Sequence, residues 1–158
     1  MFRLFGRAIR LTARDPGRVW LLARMATWVV ILSALVRVLT LPRALHFVAT
    51  DVRTNSTGGP EPKDLSTAID ALLGLEMLMF KPKCWKRATI LHRYLALNGI
   101  ATSIVFGLRK EDGELKGHAW LQSEGRPILE SEPPLYKITY TFPSADDSFD
   151  TELAVMGD

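Results

Sequence analysis

The sequence predicts an α+β fold, with N-terminal helices followed by an antiparallel sheet. Two patterns carry this. Up to Asn98, apolar residues recur every three or four positions, as on one face of a helix. After Gly99 the chain changes to β-branched and aromatic runs broken by Asp-Gly and Glu-Gly. Helices first and strands afterwards is an α+β order. The 158 residues, 47% hydrophobic and 23% charged, suffice for one domain with a helical extension.

The elements follow in order. Arg3, Arg7, Arg10 and Arg14 fall on one face of a helix over residues 3–14, with Phe2, Phe5 and Ile9 on another. Asp15-Pro16 reads as an N-cap and first helical residue, opening a helix to about Leu41, where Pro42 disfavours continuation. Its expected buried stripe is Trp20, Trp28, Ile31, Leu35 and Leu39. A short piece covers residues 43–52. Residues 54–63, rich in Gly, Pro, Ser and Asn, form a loop. Asp64 caps a third helix through Leu65, Ile69, Leu72, Leu73, Glu76 and Phe80, broken by Lys81-Pro82-Lys83. Cys84 opens a fourth helix whose Ala88, Leu91 and Leu95 continue down one side, with Gly99 as its C-terminal stop. Strands are expected at 100–108, 115–123, 126–131 and 135–142, in a meander with a turn at 109–113. The implied organisation is a basic helical region at 1–53, a linker at 54–63, a chemical domain at 64–145 and an acidic tail at 146–158.

Charge and cysteine usage narrow the function classes. Cys84 is the single cysteine, so there is neither an internal disulfide nor a paired-cysteine zinc site, and nothing points to an oxidising compartment. His46, His92 and His118 lack metal-ligand spacing. No cofactor, metal or nucleic-acid partner is expected, and a cytoplasmic location is. Residues 1–53 hold nine arginines and two acids, a net +7, and residues 54–158 hold eleven bases and fifteen acids, a net −4. The basic part suits an acidic peptide, a membrane surface or a solvated helix face. The apolar run Met25–Val36, bounded by Arg24 and Arg37, falls short of the roughly 20 residues that span a bilayer, and reads as a core helix.

The chemistry centres on Cys84. In the first turn of a helix, unpaired amides and the positive end of the dipole favour a thiolate. Lys81, Lys83, Lys86 and Arg87 add positive charge nearby. His118, in KGHAWLQ, lies on a strand, sharing a face with Trp120 and Gln122. A cysteine on a helix and a histidine on a later strand is how a papain-like site is assembled from distant segments, with a third group orienting the imidazole. A three-residue loop at Ser123–Gly125 would place Glu130 opposite His118. A two-residue loop would shift the register by one and turn Glu130 away. Glu132 is then the fallback. The backbone N–H of Cys84 supplies one oxyanion donor, and Trp85, Trp120 and Gln122 are candidates for a second. His92, two turns along from Cys84 and roughly 12 Å away, is a poor partner for it.

The stretch CWKRATILHRYLALNGIATSIVFGLRK and the following GHAWLQSEGRPILES resemble the transglutaminase-like domain of lasso peptide leader peptidases, in their stand-alone form. The resemblance implies a transglutaminase-like, papain-like cysteine protease with a Cys-His-acid triad that cuts the leader from a precursor peptide. The cysteine falls on Cys84, the histidine on His118 and the acid on Glu130, where the family's usual residue is Asp. It also implies partners: the precursor with its leader, a separate leader-binding protein and an ATP-dependent lasso macrolactam synthetase. The arginine face of residues 3–18 is a candidate docking surface for one of them. Two alternatives stay open: an acyltransferase on the same fold, and a non-catalytic scaffold of the maturation complex.

Overall fold

The computed structural model describes residues 16–54, 59–74 and 84–143. The expected helix at 3–14, the Asp15 cap, the end of the third helix at Glu76 and Phe80, and the acidic tail lie outside the described residues. Four helices precede four strands: α1 (Pro16–Val38), α2 (Leu41–Val48), α3 (Pro62–Leu73), α4 (Cys84–Leu97), β1 (Ser103–Glu111), β2 (Glu114–Ser123), β3 (Arg126–Ile128) and β4 (Lys137–Phe142). The fold is α+β, with an antiparallel sheet.

Proline places the early boundaries. α1 ends at Val38, three residues before the expected stop, because Thr40 already has the extended φ/ψ of an N-cap. Pro42 therefore does more than close α1: it sits in the first turn of α2, where its missing N–H costs nothing. Likewise α3 begins at Pro62 after Glu61, and Asp64 lies inside its first turn instead of capping it.

The buried line of α1 is Met25, Val29, Leu32 and Ser33, not the expected stripe. Trp20 is 66% exposed, and Trp28, Ile31, Leu35 and Leu39 are only half-buried. The helix is apolar nearly all round, so periodicity alone left its inner face ambiguous. With 23 residues, and a mean hydropathy of 2.0 over its most apolar 18-residue window, it is also long and apolar enough by length and composition to cross a membrane, beyond the twelve-residue core segment expected.

α4 is the centre of the molecule, with nine of its fourteen residues buried. Ala88, Leu91 and Leu95 enter the core as expected, together with Ile90. Its end is a Schellman turn: the Ile100 N–H donates to Leu95 O (2.9 Å), the Gly99 N–H to Ala96 O (3.0 Å), and Gly99 takes φ +80°. Arg93 fastens the N-terminal helices to α4. It donates to Val48 O (2.7 Å) at the end of α2 and lies 3.8 Å over the Trp28 ring of α1. The core therefore runs continuously from α1 to β4.

The sheet order is β3-β2-β1-β4. It is not a simple meander, because the last strand returns to pair with β1 instead of extending beyond β3. β1 reaches Glu111, so the turn is only Asp112-Gly113, both with φ > 0, which matches the twist of a tight hairpin. The second hairpin turns the same way at Glu124-Gly125 (φ +51° and +75°), pairing Ser123 with Arg126. The two-residue loop thus prevails over the three-residue one. β3 stops at Ile128 and β4 starts at Lys137, both shorter than expected.

His92 is buried in α4 with its Nδ1 2.9 Å from Thr102 Oγ1. Burial lowers its pKa to about 4 from 6.5, against a smaller upward pull from the Thr102 backbone. Between these values the unfolded chain binds more protons than the folded one. Stability from this site is therefore complete above about pH 6.5 and falls as the pH drops toward 4, by up to about 3 kcal/mol. Urea midpoints at pH 7.5 and 4.5 are expected to differ less in His92→Gln than in the wild-type chain.

Candidate functional site

One cavity of about 380 Å³ is lined by Asp70, Cys84, Arg87, His118, Ala119, Leu129, Glu130 and Ser131. It brings together Cys84, His118 and Glu130, the three residues singled out in the sequence. Glu132 is exposed and does not line it.

Each side chain arrives by a separate route. Cys84 is the first residue of α4, half-buried, at the end where the helix amides have no partner within the helix. His118 projects from β2 opposite Gly107 of β1. Its ring stacks on Trp120 (centroids 5.9 Å apart, planes at 17°) and lies 5.3 Å from Tyr136, so two aromatic rings limit its rotation. Gly107 makes room for this cradle. A Cβ there would stand 2.7 Å from Tyr136 Cβ and 2.9 Å from Trp120 Cη2.

Glu130 reaches His118 by a path the register does not provide. Continuing the ladder would place Ser131 across from His118, but pairing ends at Leu121–Ile128. Leu129 then adopts φ +58° and swings the chain out of the strand. Glu130 Oε2 comes to rest 3.1 Å from His118 Nε2. A carboxylate only accepts, so this contact favours the tautomer protonated at Nε2 and leaves the Nδ1 lone pair free to take a proton.

The other oxygen of Glu130 faces a cation. Arg87 Nη1 donates to Glu130 Oε1 at 3.1 Å. The guanidinium is held in turn by Asp70 on α3 (Nε to Oδ1 2.7 Å), Ser66 Oγ (2.8 Å) and Leu129 O (3.0 Å). Arg87 thus spans the helix that carries Cys84, the helix before it and the loop that carries Glu130. The sequence marks Arg87 only as added positive charge and gives no sign of Asp70. The available signal was spacing: Arg87 lies three residues after Cys84, on the same side of α4. Lys86 serves elsewhere. It is buried, and its Nζ donates to Ser33 Oγ of α1 at 2.7 Å.

None of the three candidates for a second oxyanion donor, Trp85, Trp120 and Gln122, lines the cavity. The Trp120 Nε1 is buried without a hydrogen-bond partner. Among the described residues no group of His, Cys, Asp and Glu could hold a metal ion.

A family model, that of the transglutaminase-like superfamily, matches residues 28–142. The chain belongs to that superfamily, which includes cysteine peptidases and transglutaminases. Comparison with curated proteins and with solved structures gives no match. The matched span begins within α1, so the family unit takes in most of the helical region as well as the sheet.

Gly107→Ala is expected to cost about 1–3 kcal/mol, because Trp120 and Tyr136 must both give way. The urea midpoint checks the stability. NMR of the imidazole checks the site, where the His118 resonances should shift while those of His46 stay in place.

Proposed function

We propose that this chain is a cysteine peptidase that removes the leader from a lasso peptide precursor, with Cys84 as nucleophile, His118 as base and Glu130 as the orienting acid. The observation that carries the proposal is the His118 Nε2–Glu130 Oε2 contact at 3.1 Å, in the cavity that also holds Cys84. Superfamily membership supports the cysteine chemistry. The choice of a leader peptide as substrate rests on the resemblance, strongest over Cys84–Tyr136.

In the proposed reaction the Cys84 Sγ, deprotonated by His118 Nδ1, attacks the scissile carbonyl carbon. Backbone amides at the start of α4 face the developing oxyanion. His118 then gives its proton to the leaving amine as the C–N bond breaks, releasing one peptide fragment and leaving a thioester. Water, deprotonated by the same imidazole, attacks the thioester. The products are a free carboxyl group and the regenerated thiol. Glu130 holds the ring and offsets its transient positive charge.

Arg87 is a positioning residue in this scheme, since it meets Glu130 and not the reacting atoms. Glu is one methylene longer than Asp, and the Arg87 clamp takes up that freedom by pinning the far oxygen.

The test is cleavage of a precursor peptide, supplied with its leader-binding partner and followed by mass. Cys84→Ala and His118→Ala are expected to lower the rate by about 10³-fold or more, and Glu130→Gln by roughly 10²-fold. Arg87→Met should lower kcat roughly tenfold with little change in KM. Equal processing by the wild type and Cys84→Ala would leave a scaffold. A product carrying a new amide in place of a carboxyl group would identify an acyltransferase.

A further inference from the structure

The outward side of α1 is unlike the surface of a water-facing helix. Trp20, Ala23, Thr27, Val30, Ala34 and Val38 are all exposed and follow one another at spacings of three or four. They form an uncharged stripe roughly 27 Å long, at 1.5 Å per residue. Opposite it lie Met25, Val29, Leu32 and Ser33 in the core, so the helix is committed on one side and apolar on the other. Phe47 on α2, 60% exposed, adds a second aromatic ring to the exposed apolar surface of the helical region.

Three further observations say what suits this stripe. The first is charge. Arg24 and Arg37 stand at its margins, and Arg43 is exposed on α2. Residues 1–53 contain nine arginines, no lysine and only Asp15 and Asp51 as acids. The second is the absence of polar handles along the stripe. Its one polar side chain, Thr27, donates its hydroxyl to Ala23 O at 2.9 Å. A protein interface carries about one hydrogen bond per 100–200 Å², whereas a lipid surface asks for none. The third is the placement of Trp20, 66% exposed at one end of the stripe, the kind of ring that settles at the boundary between headgroups and acyl chains.

We propose that the outer face of α1 lies on an anionic lipid surface, in the plane of the membrane, with its arginines against the headgroups. Spanning is excluded by the inner face. Inserting α1 would strip Met25, Val29 and Leu32 from the core and break the Lys86–Ser33 hydrogen bond. The orientation leaves the sheet and the cavity on the solvent side of α1. This proposal is independent of which peptide the chain acts on.

The test uses the full chain and vesicles of phosphatidylcholine, with or without 30% phosphatidylserine. Co-sedimentation is expected to be at least tenfold tighter with phosphatidylserine and to weaken steeply as salt rises. Brominated acyl chains should quench tryptophan emission in the wild type and lose most of that effect in Trp20→Phe. Val30→Glu with Ala34→Glu should lower vesicle binding at least tenfold at an unchanged urea midpoint. Equal or absent binding to both vesicle types would overturn the proposal. So would unchanged binding in the glutamate variant, or self-association of the wild type that the same variant abolishes, which would make the stripe a protein interface.

Discussion

The structure depends on the burial of α4. A helix with nine of fourteen residues out of water must be covered from several sides, and each covering element takes its place from it. α3 lies along one flank, α1 and α2 along another, and β1 and β2 across the rest. Arg93 and Asn98 complete the enclosure at the far end: one donates to the α2 terminus, the other to Pro60 O at 2.8 Å. The near end is Cys84. Because the rest of the helix is buried, Cys84 is held at the cavity by the packing along its whole length.

Against that fixed end, the electrostatics of the cavity are a problem of sharing. Glu130 offers two oxygens, one to an imidazole and one to a guanidinium, both at 3.1 Å. Its side chain is only 16% exposed, so neither contact competes freely with water. Asp70, half-exposed, balances the guanidinium from the solvent side. Asp70, Arg87, Glu130 and His118 thus form a chain of alternating acid and base along the cavity wall. Tyr136 is fixed in a similar way, with the Arg109 guanidinium 4.9 Å over its ring.

Much of this was legible in the sequence, for reasons that differ from part to part. The fold class followed from the change of period at Gly99, and that glycine is where α4 stops. The inner face of α1 is not legible, because a helix apolar on both sides carries no directional signal. The strand order escaped because nothing local tells β4 to cross back to β1. The three-residue loop that would set Glu130 opposite His118 does not form. The pairing with His118 depends on the backbone of Leu129, a residue whose side chain gives no hint of φ > 0. The Arg87 clamp is a tertiary arrangement of three segments, and no sequence window contains it.

The early end of β3 has a wider consequence. A residue within a ladder can be repositioned only in steps: about 3.3 Å along the strand, with a change of face at each one. Once Leu129 leaves the ladder, the next residue is placed by torsions that vary smoothly. An acid set on such a free segment can be lengthened or shortened while the sheet stays as it is, provided a neighbouring cation takes up the slack. The choice between Asp and Glu at this wall is therefore a local matter, open to exchange without redesign of the fold.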